Sequence, residues 1–174
     1  MLIAQALQLP PANIVANWPT IQGSLMELGM DSELIDIAAL GTIRIECPKF
    51  TPMAEEYNGD PHIYFKKYDN DENLGNLYPG DGYLYRGRGY IQISGRYNYT
   101  LYSKETGFDL ISNPDLALQP IPAAKIFARF FKNRDIGVYA CMENWRKVRL
   151  LVNGGLNGYS DFLAYINRLL EATV

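Results

Sequence analysis

Two glutamates nine residues apart are the first candidates for chemistry. Glu46 ends the apolar segment IAALGTIRIE, where a helix C-terminus disfavours negative charge and therefore favours the protonated form that a general acid needs. Pro48 and Pro52 interrupt the chain before Glu55, so the two carboxyl groups can face each other across a bend. Such a pair hydrolyses glycosidic bonds. A solvated glutamate at a helix end and a solvent-facing acidic turn explain the same residues at least as well.

The stretch LYRGRGYIQISGRYNY, residues 84–99, is the second candidate. Gln92 stands where the third glycine of a dinucleotide fingerprint belongs, and no strand–helix–strand pattern surrounds it. Interleaved arginines and tyrosines are typical of single-stranded nucleic-acid platforms, but the chain has a net charge of −3 and a pI near 5.2. The pattern therefore favours a polar, aromatic wall suited to sugars, with Gln92, Ser94 and Asn98 as its polar groups.

This stretch also has a purely structural interpretation, an amphipathic strand that runs into a helix cap at Ser94. In the sugar-binding interpretation, Gly87 and Gly89 let the backbone approach a sugar closely, whereas the arginines have no assigned role. A third stretch, Asn153-Gly154-Gly155, predicts a helix C-terminus and by its spacing alone indicates no function.

Apolar residues around these candidates recur mostly at helical spacing. The pattern predicts a helix over residues 19–29 and a second helix that begins after Asp31 or Ser32. The second helix ends near Glu46, because Pro48 disfavours helical geometry in the residue before it. Further helices are predicted at residues 94–105, 120–132, 143–152 and 159–171, with Asn113-Pro114 at the start of another. The helix over residues 120–132 is expected to bury an apolar stripe made of Ile126, Phe127, Phe130 and Phe131.

The intervening residues 48–89 are rich in proline, glycine, asparagine, aspartate and tyrosine and predict a functional loop region. Short strands or a hairpin are expected around residues 83–85 and 90–93. The residues thus predict a mainly helical fold with a small irregular or β-hairpin region.

The bulk composition restricts the class of protein. A chain of 174 residues with 48% hydrophobic and 20% charged residues predicts one soluble domain with a real core. Cys47 and Cys141 are expected to be reduced core thiols, because two cysteines make no disulfide framework and neither lies in a CxxC pattern. With His62 as the single histidine, no metal and no cofactor are expected.

The N-terminal residues MLIAQALQLPPANIVANW carry no basic segment before their apolar residues and do not form a secretory signal. We therefore expect synthesis in the cytoplasm, and any action outside the cell would need another means of release. No run of 18 apolar residues predicts a membrane span.

Three blocks of the sequence together resemble the family 19 glycoside hydrolases, and within them the phage-type endolysins, which are chitinase-like lysozymes. The first block is IECPKFTPMAEEYNGD, and the second is YRGRGYIQISGRYNY, which is close to the family pattern GRGYIQLTGRxNY. The third combines NPDL, residues 113–116, with WRKVRLLVNGGLNG, residues 145–158. The blocks span roughly residues 35–170, which is most of the chain.

The resemblance implies an inverting endo-glycosidase with a lysozyme-like helical fold, α+β in detail, and a cleft between two helical lobes. By position, Glu46 matches the general acid, Glu55 the general base and Ser94 the residue that holds the attacking water. Substrate-binding positions are also implied, and these are Gln92, Asn98, Tyr90 and Asn153.

Two departures from the family pattern concern the acid and the base. Cys47-Pro48-Lys49 replaces the Thr-Gly-Gly or Ser-Gly-Gly that often follows the first glutamate. Glu56 adjoins Glu55 and is an alternative base. The acidic chain also differs from the basic endolysins of this family.

From residues and resemblance together, we predict that residues 1–174 form one catalytic domain, a monomeric peptidoglycan hydrolase. It would cut the β-1,4 bond between N-acetylmuramic acid and N-acetylglucosamine, with no nucleic-acid partner and no stable membrane insertion. The resemblance also implies synthesis in the cytoplasm of a host bacterium and action on the cell wall or periplasm after release. A chitinase acting on N-acetylglucosamine polymers is the alternative of the same class. A non-catalytic wall-binding module and, more remotely, a dinucleotide-binding enzyme are the alternatives of other classes.

Overall fold

The computed structural model describes residues 2–173, and most of its elements are helices. The α-helices in chain order are α1 (Leu2–Leu7), α2 (Pro11–Met26), α3 (Glu33–Glu46), α4 (Pro61–Tyr64), α5 (Asp81–Leu84), α6 (Gly95–Thr106), α7 (Pro120–Asn133), α8 (Ile136–Cys141), α9 (Trp145–Asn153) and α10 (Tyr159–Thr173). The strands are β1 (Met53–Ala54) and β2 (Arg88–Gly89), and 3₁₀ turns lie at Phe65–Tyr68, Glu72–Leu74 and Pro114–Leu118. The predicted mainly helical fold with a small β region is confirmed.

The chain divides into two compact units. The first consists of the chain up to Thr51 together with the chain from Phe127 onward, and the second is Pro52–Ile126. The prediction that residues 1–174 act as one catalytic domain stays a prediction.

Helix α3 is the central element of the first unit, where it contacts α1, α8, α9 and α10. Acidic residues in its first turn and Arg44 in its last turn match the helix dipole. Gly41 lets α10 approach closely, because a Cβ atom at this position would lie 2.8 Å from Ile166 Cδ1. The helix ends at Glu46, as the following Pro48 predicts, and this ending fixes where the Glu46 side chain lies.

The apolar stripe predicted for the helix over residues 120–132 is confirmed. Its four predicted positions in α7 are all buried, and they are Ile126, Phe127, Phe130 and Phe131. The rings of Phe127 and Phe131 pack with their centroids 4.5 Å apart. Burial of large aromatic side chains of this kind is the main source of free energy for folding.

Three helices of the first unit differ from the prediction, and the first of them is α1, a six-residue helix before the first predicted one. Helix α2 starts at Pro11 instead of residue 19 and continues through Pro19. Proline is well accommodated at the first helical position, and the buried side chains of Trp18 and Ile21 offset the cost of the internal proline. Helix α8 was not predicted because it has only six residues.

The strands of the second unit are not where the sequence predicts them. Residues 81–84 form helix α5, and residues 90–92 form a turn that leaves only Ile93 in an isolated antiparallel bridge, so the strands predicted around 83–85 and 90–93 are wrong. Instead β1 and β2 pair antiparallel, with Met53 opposite Gly89. Gln92 has a φ of 51°, which breaks the extended backbone and turns Ile93 back onto Arg88.

An aromatic cluster stabilises the irregular part of the second unit. The buried ring of Phe65 contacts the rings of Tyr57, Tyr64, Tyr68 and Tyr83 at centroid distances of 5.3, 4.9, 6.4 and 5.9 Å. Edge and tilted ring contacts of this kind add to the free energy of simple area burial. They give a segment with little regular secondary structure a defined conformation.

Cys47 and Cys141 form no disulfide within residues 2–173, and only one of them lies in the core. Cys47 is buried, as expected, whereas Cys141 at the end of α8 is exposed, so the expectation of a core thiol is wrong for Cys141. Within residues 2–173, no helix combines the length and the apolar character that a membrane span requires.

Candidate active site

The Glu46 carboxylate is paired with a buried arginine of the first unit. Arg149 Nη1 donates to Glu46 Oε1 over 2.5 Å, and the exposed fractions of the two side chains are 5% for arginine and 21% for glutamate. Arg149 Nε and Nη2 both donate to the carbonyl oxygen of Asn157, at 2.9 and 2.7 Å. The guanidinium therefore links the end of α3 to the loop that follows α9.

Arg149 is the residue of this site that the sequence reasoning missed. It lies on α9, next to Val148, on the buried side of an amphipathic helix. A charged residue at an apolar position is seldom fully buried without a partner. The position of Arg149 in WRKVRLLVNGG therefore indicates a buried ion pair, but the sequence does not indicate its partner, which lies 103 residues earlier in the chain.

The Glu55 carboxylate is held by backbone groups of the second unit. Gly87 N–H donates to Glu55 Oε2 over 3.2 Å, and Glu55 N–H donates to the carbonyl oxygen of Gly87 over 2.8 Å. Glu55 is half-buried, whereas Glu56 is exposed. A fixed, partly shielded carboxylate meets the requirements of a general base better than a fully solvated one. The geometry therefore favours Glu55 over Glu56.

Two cavities of the second unit open beside Glu55. The first has a volume of about 210 Å³ and is lined by Glu55, Tyr68, Leu74, Asn76, Gly82, Tyr85, Arg86 and Ser94. The second, of about 490 Å³, is lined by Glu55, Glu56, Tyr57, Asn58 and Tyr64. The candidate base and the candidate water-holding Ser94 thus share one cavity, while tyrosine rings line the other.

Three predicted polar residues lie together at the start of α6. Ser94 precedes the helix and donates from Oγ to the carbonyl oxygen of Gln92 over 3.3 Å. Asn98 donates from Nδ2 to the carbonyl oxygen of Ser94 over 2.8 Å. Gln92 Nε2 donates to the carbonyl oxygens of Met53 and Gly89, at 2.7 and 3.0 Å. The amide N–H groups of Gln92 and Asn98 therefore support the local backbone, and the predicted contacts with substrate stay predictions.

The two remaining substrate-binding predictions fall on very different surfaces. Tyr90 is 1% exposed, so its ring offers no free face for a sugar in this structure. Asn153 is exposed at the end of α9, where Gly154 adopts a φ of 69°. The predicted helix C-terminus at Asn153-Gly154-Gly155 is confirmed, whereas its contact with substrate stays a prediction.

Gly87 and Gly89 serve internal packing, which corrects the expectation that they make room for a sugar. A Cβ atom at Gly87 would lie 2.9 Å from Gln92 Oε1 and 3.2 Å from Glu55 Oε2. At Gly89, φ is 91° and a Cβ atom would lie 3.2 Å from the carbonyl oxygen of Ala117. Because Gly87 has no side chain, its backbone N–H group can approach the Glu55 carboxylate and donate a hydrogen bond to it.

Arg88 is a structural residue of the second unit. Its buried guanidinium donates from Nε to Asp115 Oδ1 over 2.8 Å, and from Nη1 to the carbonyl oxygen of Leu84 and the hydroxyl of Tyr99, both at 2.9 Å. Burial raises the pKa of the Tyr99 hydroxyl to about 12. Tyr99 therefore stays protonated and donates to the carbonyl oxygen of Arg86 over 2.8 Å.

Arg96 forms a bidentate ion pair with the buried carboxylate of Asp81. Nε and Nη2 donate to its two oxygens at 2.8 and 2.6 Å, and the backbone N–H groups of Leu77 and Tyr78 donate to Oδ2 at 2.8 and 3.1 Å. Burial acts to raise the pKa of Asp81, but the hydrogen bonds from Arg96, Leu77 and Tyr78 together hold it below its ordinary value. This pair fixes the loop before α5 to α6.

Within residues 2–173, no group of three or more histidine, cysteine, aspartate or glutamate side chains could hold a metal ion.

No protein-family model matches the chain. A protein of Haemophilus influenzae named glycosyl hydrolase family 19 domain-containing protein is 34% identical over 109 residues, which are 62% of this chain and 52% of that protein. The chain thus spans about half the length of this relative.

Solved structures share the fold over nearly the whole chain. Chitinase C from Streptomyces griseus is 19% identical with a TM-score of 0.68, covering 99% of this chain and 88% of that one. A bacterial family 19 chitinase is 17% identical with a TM-score of 0.67, covering 98% of this chain and 92% of that one. The predicted lysozyme-like, mainly helical fold is therefore confirmed.

Proposed function

We propose that this chain, a relative of the family 19 glycoside hydrolases, is a glycosidase that hydrolyses β-1,4 bonds between N-acetylated hexosamines. The observation that carries the proposal is the Glu55 carboxylate, fixed by the N–H group of Gly87 and lining one cavity with Ser94. A carboxylate and a hydroxyl in one shielded cavity are suited to bind and deprotonate a water molecule.

The proposed reaction is an inverting hydrolysis with two carboxyl groups. Glu46 would protonate the leaving oxygen through Oε2 while Oε1 keeps its hydrogen bond to Arg149. Glu55 would take a proton from a water molecule held at Ser94, and this water would attack the anomeric carbon from the opposite face. The mechanism requires the two carboxyl groups to lie about 6.5–9.5 Å apart in the reacting complex.

We propose peptidoglycan as the substrate, with cleavage between N-acetylmuramic acid and N-acetylglucosamine. The larger cavity beside Glu55 supports this choice, because exposed residues line it and the lactyl-peptide branches of peptidoglycan need open space. Chitin is the second candidate, since the solved structures that share this fold are chitinases by name. Turnover of purified peptidoglycan and of chitin oligomers by the same preparation compares the two directly.

Three single variants test the catalytic assignment. Glu46→Gln and Glu55→Gln should each lower kcat by about 10²–10⁴-fold on the preferred substrate, with little change in KM. Glu56→Gln is the matched control next to the base and should retain near-normal turnover. Normal lysis by Glu46→Gln would refute the assignment of Glu46 as the acid. Loss of activity in Glu56→Gln, with normal activity in Glu55→Gln, would assign the role of general base to Glu56.

The stereochemical outcome is a separate test of the two-carboxylate mechanism. An inverting enzyme that cuts a β-linkage releases the α-anomer first, which proton NMR detects before mutarotation. Initial release of the β-anomer would contradict the proposed role of Glu55 as a base acting through water.

A further inference from the structure

The three arginines of residues 84–99 differ in how fully their guanidinium groups are engaged. Arg88 and Arg96 are ion-paired within the second unit, with Asp115 and Asp81. Arg86 has no ion pair among the described residues, and it lines the cavity of about 210 Å³ with Glu55 and Ser94. Arg86 is therefore the one of these three cations that faces the candidate reaction site without a carboxylate partner.

The backbone of Arg86 is fixed, although its side chain is only partly bonded. Its carbonyl oxygen accepts hydrogen bonds from Tyr99 Oη at 2.8 Å and from Arg88 Nη1 at 3.2 Å. The guanidinium lies over the ring of Tyr83 at 4.3 Å and donates from Nη1 to the carbonyl oxygen of Tyr83 over 3.0 Å. Nε is shielded from solvent and finds no acceptor among residues 2–173.

The Arg86 guanidinium is thus held in a fixed orientation, and it still has N–H donors that make no hydrogen bond within residues 2–173. A guanidinium has five N–H donors in a planar fork that matches the two oxygens of a carboxylate. Partly shielded charged donors that lack a partner are costly, and an acceptor on a ligand relieves that cost. Nε is too shielded to meet a ligand, whereas Nη2 makes no hydrogen bond within residues 2–173 and is the donor that indicates a ligand in the cavity that Arg86 lines.

We propose that Arg86 recognises the lactyl group of N-acetylmuramic acid, by donating hydrogen bonds to its carboxylate or, where a peptide is attached, to its carbonyl oxygen. The inference rests on the function proposed above and specifies its substrate. Chitin has N-acetyl groups but no lactyl group, so Arg86 would favour muramic-acid-containing strands over chitin.

The size and charge of the cavity agree with this ligand. A volume of about 210 Å³ is below the usual 300–1,000 Å³ of pockets that enclose whole ligands, so it suits one substituent of a sugar ring. Glu55 lines the same cavity and repels a carboxylate, and Arg86 supplies the opposite charge that offsets this repulsion.

The test compares substrates of equal length that differ in the lactyl group. Tetrasaccharides of alternating N-acetylglucosamine and N-acetylmuramic acid, with and without peptide, are compared with chitin tetrasaccharide for wild type, Arg86→Gln and Arg86→Lys. The measured quantity is the ratio of kcat/KM on the muramic substrate to kcat/KM on chitin. Arg86→Gln should lower this ratio by at least about tenfold, and Arg86→Lys should lower it less, because it keeps the charge but loses the fork.

Lys104→Gln is the matched control, because it removes one positive charge from an exposed position on α6 of the same unit. It should leave the ratio at the wild-type value. Thermal unfolding of each variant shows whether a change in the ratio comes from loss of folded protein. If Arg86→Gln fails to fold, the ratio for Arg86→Lys is compared with the wild-type ratio instead.

The outcomes separate this inference from the function on which it rests. A wild-type protein that cleaves no muramic substrate refutes the proposed peptidoglycan specificity itself. A wild type that cleaves muramic substrates, with an unchanged ratio in Arg86→Gln, overturns the role of Arg86 alone. Equal losses on both substrates would also overturn it, because they would assign Arg86 to general positioning.

Discussion

The Glu46 carboxylate follows thirteen other residues of the regular helix α3, whereas the Glu55 carboxylate follows a strand of only two residues. Glu46 is held by a side-chain ion pair with Arg149, and Glu55 by the backbone N–H group of Gly87. The two candidate catalytic groups are thus fixed by different physical means.

The two supports differ in strength. A charge-assisted hydrogen bond from the Arg149 guanidinium orients the Glu46 carboxylate through Oε1, and such bonds are roughly twice as strong as neutral ones. The N–H group of Gly87 is an uncharged donor and orients the Glu55 carboxylate less strongly. Loss of the Arg149 contact should therefore have a larger effect than disturbance of the Gly87 contact.

The largest effect is expected from removing the ion pair of the first unit. Arg149→Met should lower kcat by about 10²-fold, because Glu46 loses its fixed orientation. It should also lower the free energy of unfolding by about 3 kcal/mol, since a partly buried carboxylate and the carbonyl oxygen of Asn157 lose their donor. Steady-state kinetics and urea denaturation measure the two effects.

Arg146→Met is the control for this variant, because Arg146 lies three residues earlier on α9 and is exposed. Its effect on stability should stay within about 0.5 kcal/mol, with kcat near that of wild type. If Arg146→Met and Arg149→Met behaved alike, the ion pair would not be what holds Glu46.

A smaller effect is expected from disturbing the backbone support of Glu55. In Gly87→Ala the new Cβ atom would meet Gln92 Oε1 at 2.9 Å and Glu55 Oε2 at 3.2 Å, so both side chains must shift by a few tenths of an ångström. Such a displacement should lower kcat about tenfold, since misplacement by 1 Å can cost 10²-fold.

Gly23→Ala is the matched substitution away from the site. Gly23 lies inside α2, and a Cβ atom there meets nothing within 4 Å. Alanine favours the helix by about 1 kcal/mol relative to glycine, so this variant should be slightly more stable, with unchanged kcat. A Gly87→Ala enzyme with wild-type kinetics would show that Glu55 does not depend on a close approach of the backbone.

The two regions also differ in how well the sequence predicts them. The end of α3 at Glu46 follows from local rules, apolar periodicity and a following proline, and the structure agrees. The region around β2 does not follow local rules. Gln92 adopts a positive φ there because its side chain bonds to the carbonyl oxygens of Met53 and Gly89, one of which lies 39 residues earlier. Tertiary contacts of this kind override β propensity.

The same limit applies to the candidate site. Periodicity and motif spacing identify Glu46, Glu55 and Ser94 as candidates, because their residue types and neighbours are local information. The partner of Glu46 is Arg149, which is 103 residues away in the chain and carries no motif of its own. The roles of the arginines in residues 84–99 are likewise invisible in the sequence, since each depends on which acceptors the fold brings near.

The smallest effect concerns the ion pair between Asp81 and Arg96, which anchors the irregular segment to α6. The folded-state pKa of Asp81 lies below its ordinary value of 3.8, so its contribution to stability is complete above that value. The contribution is lost as the pH falls through the lower pKa of the folded state. The protection factors of the amides of residues 76–85, which correct for the intrinsic exchange rate at each pH, should therefore fall in acid before those of α3.

Asp81→Asn removes the titrating group and should lower the protection factors of residues 76–85 at neutral pH and make them nearly independent of acidification. Glu72→Gln, at an exposed position in the same irregular segment, should behave like wild type. If the segment in wild type kept its protection at a pH where Asp81 is protonated, the hydrogen bonds of Asn76 to Tyr68 and Arg96 would be sufficient to anchor it. The ion pair would then be secondary. Hydrogen bonds with backbone groups would support the irregular segment, as the N–H group of Gly87 supports Glu55.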